Sequence, residues 1–268
     1  MSAGSSSDYS DDSANEAIPE WGLCDLLERG KFPSILIVAA RGEGKSVLLR
    51  HLYRQRIRKA PASEGFKFTF VYSNSPATLR SYREFVEPVQ LGDDPEPVNF
   101  IDFARDGASH IARLVEAQNR RGDDAPRVLL VLDDVLTSDL RNNDTVTKLF
   151  TQGRHSRISV VLVSQAWSGA LAPAVRKNAD LIFLLRCRSG VENKLIRDES
   201  IKGCIAPDDV GRVRLPSGVV PDSEEKLARG ILQECTGNYR ALVIDQRVRE
   251  TRAAKMLAWY RVPEKYAQ

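Results

Sequence analysis

The sequence predicts an α/β protein built on a mostly parallel central sheet flanked by helices, and three observations carry that expectation. Short β-branched or Leu-rich runs alternate with longer stretches of helical spacing from Trp21 onward. Several of the runs, SILIVAA at 34–40, RVLLVLDDV at 127–135 and ISVVLVSQ at 158–165, are apolar almost throughout. That is the pattern of strands covered on both faces, as parallel strands are. The first run then passes through a Gly-containing turn into a helical stretch, the strand–loop–helix order of nucleotide-binding sheets.

The elements follow in order. Residues 1–20 hold five acidic and no basic side chains, so the net charge of +3 conceals +8 on the remainder. The Ser- and Asp-rich residues 1–17 bury too little apolar surface to offset their ordering entropy, and a disordered acidic tail is expected there. A single nucleotide-binding domain is expected over 18–250, and a basic C-terminal helix and tail over 251–268. Within the domain WGLCDLLER at 21–29 reads as a short amphipathic helix and 34–40 as a buried strand. Residues 45–58 form a helix with Leu48, Leu49, Leu52 and Tyr53 on its apolar side. FKFTFVYS at 66–73 is a strand, 76–86 a helix, 88–97 a loop and VNFIDF at 98–103 a short strand. A helix over 107–121 ends at Gly122 and precedes the strand 127–135. Then come helix 143–153, strand 158–165, a loop or short helix around Pro173 and strand DLIFLLRC at 180–187. Helix 190–200, helix 224–234, strand YRALVIDQ at 239–246 and a basic helix over 250–261 complete the chain.

Composition narrows the function. No uncharged apolar stretch reaches the ~20 residues that cross a bilayer, and residues 1–20 lack the basic and apolar regions of a secretory signal. Cys24, Cys187, Cys204 and Cys235 form no CxxC pair, so they read as packing thiols in a reducing compartment. The three histidines show no metal-ligand spacing.

The chemistry concentrates in Ala39-Ala40-Arg41-Gly42-Glu43-Gly44-Lys45-Ser46, a phosphate-binding loop with Ala39 where the motif usually has Gly. Following a strand and opening a helix, it aims backbone N–H groups and the helix dipole at phosphate oxygens. Ala39, Arg41, Gly42, Glu43, Gly44, Lys45, Ser46 and Val47 form the expected ATP cradle. Lys45 would neutralise the β- and γ-phosphates, and the Ser46 hydroxyl would bind Mg²⁺. Asp133 and Asp134 end the apolar strand VLLVL. Asp133 would hold Mg²⁺, and Asp134 would orient and deprotonate the attacking water. FKFTFVYS lies between the two motifs and is expected to separate their strands. The next strand ends in Ser164-Gln165, whose amide could contact the γ-phosphate or lytic water. Ahead of it, Arg154 in GRHSR could serve either as an arginine finger or as a cation at a helix C-terminus.

The series SILIVAARGEGKS, VLLVLDD, KLFTQGRHSRISVVLVSQ and YRALVID resembles the genome-packaging ATPases of nucleocytoplasmic large DNA viruses, a viral branch of the FtsK–HerA superfamily. The resemblance spans about residues 33–246, and GRHSRISVVLVSQ is its most specific part. It implies a RecA-like P-loop ATPase core, ATP and Mg²⁺, and a homo-oligomeric ring. It further implies ATP-driven movement of double-stranded DNA into a capsid, with capsid or portal-vertex proteins as partners. The implied location is the host cytoplasm or nucleus at sites of virion assembly. By position, Lys45 and Ser46 match the Walker A residues, Asp133 and Asp134 the Walker B pair, Gln165 the sensor and Arg154 the finger acting in trans. Ala39 departs from the usual Gly, and Asp134 stands where the wider superfamily often has Glu. The competing readings are a nucleotide or small-molecule kinase and a slowly hydrolysing nucleotide-gated binding module. A GTPase lacks support, because NKLIRD at 193–198 has the wrong spacing for a base-reading motif. Arg80, Arg83, Arg247, Arg249, Arg252 and Lys255 are basic candidates for contact with DNA.

Overall fold

The computed structural model describes residues 16–28, 33–61, 65–90, 97–135, 144–169 and 171–266. The expected disordered tail therefore lies mostly outside the described residues. Its last two residues do not behave as tail: the Arg214 N–H donates to the Glu16 carbonyl, and Ala17 bridges to Arg214. Ile18, which is buried, anchors that segment.

The apolar runs become β1 (Ser34–Val38), β2 (Phe68–Ser73), β3 (Phe100–Asp102), β4 (Val128–Asp133), β5 (Ile158–Ser164), β6 (Leu181–Leu184) and β7 (Arg240–Asp245). With β8 (Leu257–Arg261) they form one sheet in the order β3-β2-β4-β5-β1-β6-β7-β8. The pairings from β3 to β6 are parallel, and β7 and β8 join antiparallel.

Two expectations are corrected here. The sequence predicts a basic helix over 250–261, but only Ala253–Met256 is helical and the sheet continues through β8. The free edge of β7 supplies a backbone ladder, and the run LAWYR alternates its side chains between the two faces. Leu257 and Trp259 meet one core, and Ala258 and Tyr260 the other. Pro19 and Trp21 then exchange backbone hydrogen bonds with Trp259, covering the outer edge of β8. The second correction concerns FKFTFVYS, which does not separate the loop strand from the Asp strand. The crossover from β1 to β2 skips two places in the sheet, later filled by β4 and β5. It is β5 that stands between β1 and β4.

Period-two packing explains the layers. Leu36, Val38, Leu130, Leu132, Val160 and Leu162 point to one face. There they meet Ile111 of α4 (Ala108–Arg121), Leu149 of α5 (Asp144–Gln152), Val175 of α6 (Pro173–Asn178), Ile196 of α7 (Gly190–Ile196) and Ile231 of α8 (Glu224–Cys235). Ile35, Ile37, Leu129, Val131, Val161 and Val163 point to the other face. That side is covered by Leu26 of α1 (Asp25–Glu28), Leu48, Leu49 and Leu52 of α2 (Lys45–Leu52) and Tyr82 of α3 (Pro76–Tyr82). Burial on both faces is why these strands carry no polar alternation. Register brings the carboxyl ends of three strands to one edge, with Val38 opposite Ser164 and Asp133 opposite Val163.

Candidate nucleotide-binding site

The loop after β1 is fastened to the neighbours of that strand. The Ala39 N–H donates to the Ser164 carbonyl at 3.2 Å and the Ala40 N–H to the Arg186 carbonyl at 3.1 Å. Ala39 is fully buried among apolar side chains, and its φ is not positive. Its methyl group therefore packs at no backbone cost, which explains why this position does not need the usual Gly. The requirement falls on Gly42 and Gly44, at φ 82° and 91°, where an L side chain is strained. Gly44 caps α2, and its carbonyl accepts the first helical bond from Leu48 at 2.9 Å.

Lys45 reaches back across this loop, its Nζ donating to the carbonyls of Ala39 at 2.8 Å and Ala40 at 3.0 Å. Burial lowers its pKa, and Asp133 is the largest opposing influence. Asp133 ends β4 at 9 % exposure, on the second strand over from the loop. With β5 between them, two interstrand spacings put the backbones of the Asp strand and the loop strand about 10 Å apart. Burial raises the Asp133 pKa, against the hydrogen bond that Tyr82 donates to its Oδ2 at 2.8 Å.

Asp134 behaves differently although it is adjacent. Its backbone turns left-handed at φ 55°, a conformation Asp tolerates better than most residues, and the Asn74 N–H donates to its carbonyl at 3.3 Å. The turn takes Asp134 out of the strand and leaves it exposed. Two neighbouring carboxylates thus have separate environments, one buried and hydrogen-bonded and one open to water. Gln165 is exposed immediately after β5, between the loop strand and the Asp strand, while the Ser164 hydroxyl donates to the Ala166 carbonyl and takes no outward role. Ser46 is exposed in the first turn of α2.

A family model described as Poxvirus A32 protein matches residues 25–204. The chain belongs to the poxvirus A32 family. Among curated relatives, the A32-family chain is 24 % identical to uncharacterized protein 015R of Frog virus 3 (isolate Goorha), over 92 % of this chain and 69 % of that one. It is 23 % identical to uncharacterized protein L437 of Acanthamoeba polyphaga mimivirus, over 87 % of this chain and 74 % of that one. Among solved structures it resembles B204, the DNA-packaging ATPase from Sulfolobus turreted icosahedral virus, with a TM-score of 0.55 and 16 % identity. That match covers 88 % of this chain and all of B204. The likeness shows a common fold.

In this A32-family chain the sheet edge gathers Lys45, Ser46, Asp133, Asp134 and Gln165. It does not gather Arg154. That residue is exposed in a 3₁₀ turn, Gly153–Ser156, at the amino end of β5. The seven residues of β5 put it about 20 Å from the edge that carries the loop. Arg247 is also removed from the DNA candidates: it is nearly buried, paired with Asp245 at 2.8 Å, and donates to the Asp25 carbonyl. Arg252 is engaged with Asp209 at 3.8 Å.

Sequence reasoning missed two residues here. Tyr82 is an aromatic on a helix and reads as core packing, with no local sign that its hydroxyl meets Asp133. Arg188 pairs with Glu43 of the loop, its Nε and Nη2 lying 3.1 and 2.9 Å from Glu43 Oε1. Cations directly after the apolar strand DLIFLL are a hint, but only the adjacency of β6 and β1 aims one at the loop.

Proposed function

We propose that this protein is an ATP-driven motor that moves double-stranded viral DNA into capsids, assembling as a homo-oligomeric ring. The observation that carries the reading is the order of three strand ends: phosphate loop on β1, Gln165 after β5, and Asp133 and Asp134 at β4. In this arrangement Lys45 leaves the Ala39 and Ala40 carbonyls for the β- and γ-phosphates, and the N–H groups from Gly42 to Val47 cradle the phosphate chain. The open carboxylate of Asp134 accepts a proton from water, and the Gln165 amide orients that water or the γ-phosphate.

Ser46 and Asp133 offer one hydroxyl and one carboxylate, a hard oxygen set that suits Mg²⁺, which takes its remaining ligands from phosphate and water. A Mg²⁺ ion held by these two residues would neutralise part of the negative charge of the phosphate chain.

Arg154 acts on a neighbour's γ-phosphate in this reading, since about 20 Å of β5 separates it from its own loop. A homo-oligomer supplies that neighbour. B204 from Sulfolobus turreted icosahedral virus, named as a DNA-packaging ATPase, and the genome packaging NTPase B204 from Sulfolobus turreted icosahedral virus 2, solved with AMPPCP, support ATP as the fuel and DNA as the cargo. The +8 charge outside residues 1–20 suits a phosphate backbone contacted without reading bases. No helix among the described residues is long and apolar enough to cross a membrane. Capsid or portal-vertex proteins are the expected docking partners at assembly sites inside the host cell.

The test is the ATPase rate of the assembled full chain across a salt series, with and without duplexes of unrelated sequence. Duplex DNA should raise the rate irrespective of sequence, and the stimulation should fall steeply with salt as counterions are recaptured. A rate indifferent to DNA at low salt, with γ-phosphate passed to a small acceptor, would replace the motor by a kinase.

A further inference from the structure

A cavity of about 490 Å³ opens beside the phosphate loop, on the side away from Asp133. Its floor includes Gly42, Gly44 and Val47, and its walls include Leu185, Tyr239 and Tyr260. The direction is informative. The two carboxylates and Gln165 lie on the β5–β4 side of β1, so the γ-phosphate points that way. The opposite end of a nucleotide then emerges past Val47 toward β6, β7 and β8, where this cavity lies.

The lining has the chemistry of a base site. Tyr239 is 73 % exposed, the most exposed large apolar side chain among the described residues. It is held at φ 57° directly after Asn238 at φ 53°, a left-handed pair that lifts the ring to the cavity mouth before β7 begins. Tyr239 Cδ1 lies 3.9 Å from where a Cβ on Gly44 would be, so the ring stands over the loop with much of its surface free. The Tyr260 hydroxyl, also on the cavity wall, has no hydrogen-bond partner among the described residues. The Glu264 carboxylate, 3.4 Å from Arg261, closes the rim. An open aromatic face, apolar walls and a few convergent polar groups, within the ~300–1,000 Å³ of small-molecule clefts, suit a planar heterocycle with donors and acceptors on its edge.

We infer that this cavity takes the purine base of the bound nucleoside triphosphate, with Tyr239 as its stacking partner and Tyr260 and Glu264 facing its polar edge. This inference rests on the nucleotide reading of the loop and adds the residues that select the base. A purine covers more of the Tyr239 face than a pyrimidine, so ATP is preferred to CTP. A bare triphosphate gains nothing from the cavity.

Calorimetric titration of the full chain with ATP, CTP and inorganic tripolyphosphate, each with Mg²⁺, tests it. ATP should bind about tenfold or more tightly than tripolyphosphate, with CTP between them. Tyr239→Ala should collapse the ATP-to-tripolyphosphate ratio toward one, and Tyr239→Phe should keep it. Val47→Phe, which fills the cavity from its floor, should lower the same ratio. Equal binding of ATP and tripolyphosphate by the wild type, or a ratio that survives both Tyr239→Ala and Val47→Phe, would overturn the base site. In either case Lys45-dependent binding of tripolyphosphate would leave the phosphate cradle standing. Failure of every ligand to bind, or binding indifferent to Lys45→Ala, would overturn the nucleotide reading and the base site with it.

Discussion

Tyr82→Phe isolates one hydrogen bond at the head of the Asp strand. The Tyr82 hydroxyl is fully enclosed, donates to Asp133 Oδ2 at 2.8 Å, and keeps its proton because burial, then Asp133, push its pKa far above the ordinary tyrosine value. Phenylalanine fills the same space, so no cavity forms and the change removes only the donor. A hydrogen bond to a charged acceptor is worth ~1.5–3 kcal/mol. At about 2 kcal/mol, and 2–4 °C per kcal/mol for a domain of this size, the melting temperature should fall by about 4–8 °C. The cycle with Asp133→Ala gives the decisive sign. Once the carboxylate is gone the tyrosine hydroxyl is an unsatisfied buried donor, so adding Tyr82→Phe to Asp133→Ala should be neutral or stabilising. Thermal or urea melts of the four proteins measure this coupling. The same loss from Tyr82→Phe in both backgrounds would refute the reasoning and reduce the hydroxyl to a packing role.

Three further outcomes follow from the same geometry. Asp134→Asn should retain ATP binding and lose about 10²–10⁴-fold in hydrolysis, the usual worth of a positioned base; a near wild-type rate of phosphate release would remove Asp134 from that role. Arg154→Ala should cost ~10³-fold or more, and mixing it with Lys45→Ala protein should recover part of the activity through sites with an intact loop beside an intact Arg. Absence of recovery in demonstrably mixed assemblies would count against action in trans. Burial lowers the pKa of His110, which shares a 2.9 Å hydrogen bond with the Tyr72 hydroxyl, below the ordinary 6.5. The unfolded chain therefore takes up the proton first: stability from this ring is complete above pH 6.5 and is lost as pH falls below it. Urea midpoints between pH 7.5 and 5.5 should decline less steeply in His110→Asn, and an identical decline would place the titration elsewhere.

The strings that form the candidate site were legible as structure because each is local. A glycine pair at φ 82° and 91°, a strand opening into a helix, and carboxylates directly after five apolar residues are short-range facts that backbone sterics and burial impose on neighbouring residues. Gln165 was legible for the same reason, as the first residue past a strand buried on both faces. The C-terminal run was misread because propensity and basic charge describe LAWYR in isolation, whereas its partner, the open edge of β7, lies elsewhere in the chain.

By itself, then, the sequence determined the α/β class, the buried strands, the Gly-containing loop that opens a helix, and the strand-end positions of Asp133, Asp134 and Gln165, since all of these follow from periodicity and residue chemistry within a single element. Only the tertiary structure decided that β5 lies between the loop and the Asp pair, that Arg154 sits a strand's length from its own site, and that Arg247 is paired internally. It also decided that Tyr82 meets Asp133 and that Tyr239 stands over Gly44. Those pairs are 51 and 195 residues apart in the chain. Contacts of that separation depend on crossover order and strand register, which are set by how whole layers bury their faces together and leave no mark in a local window of residues.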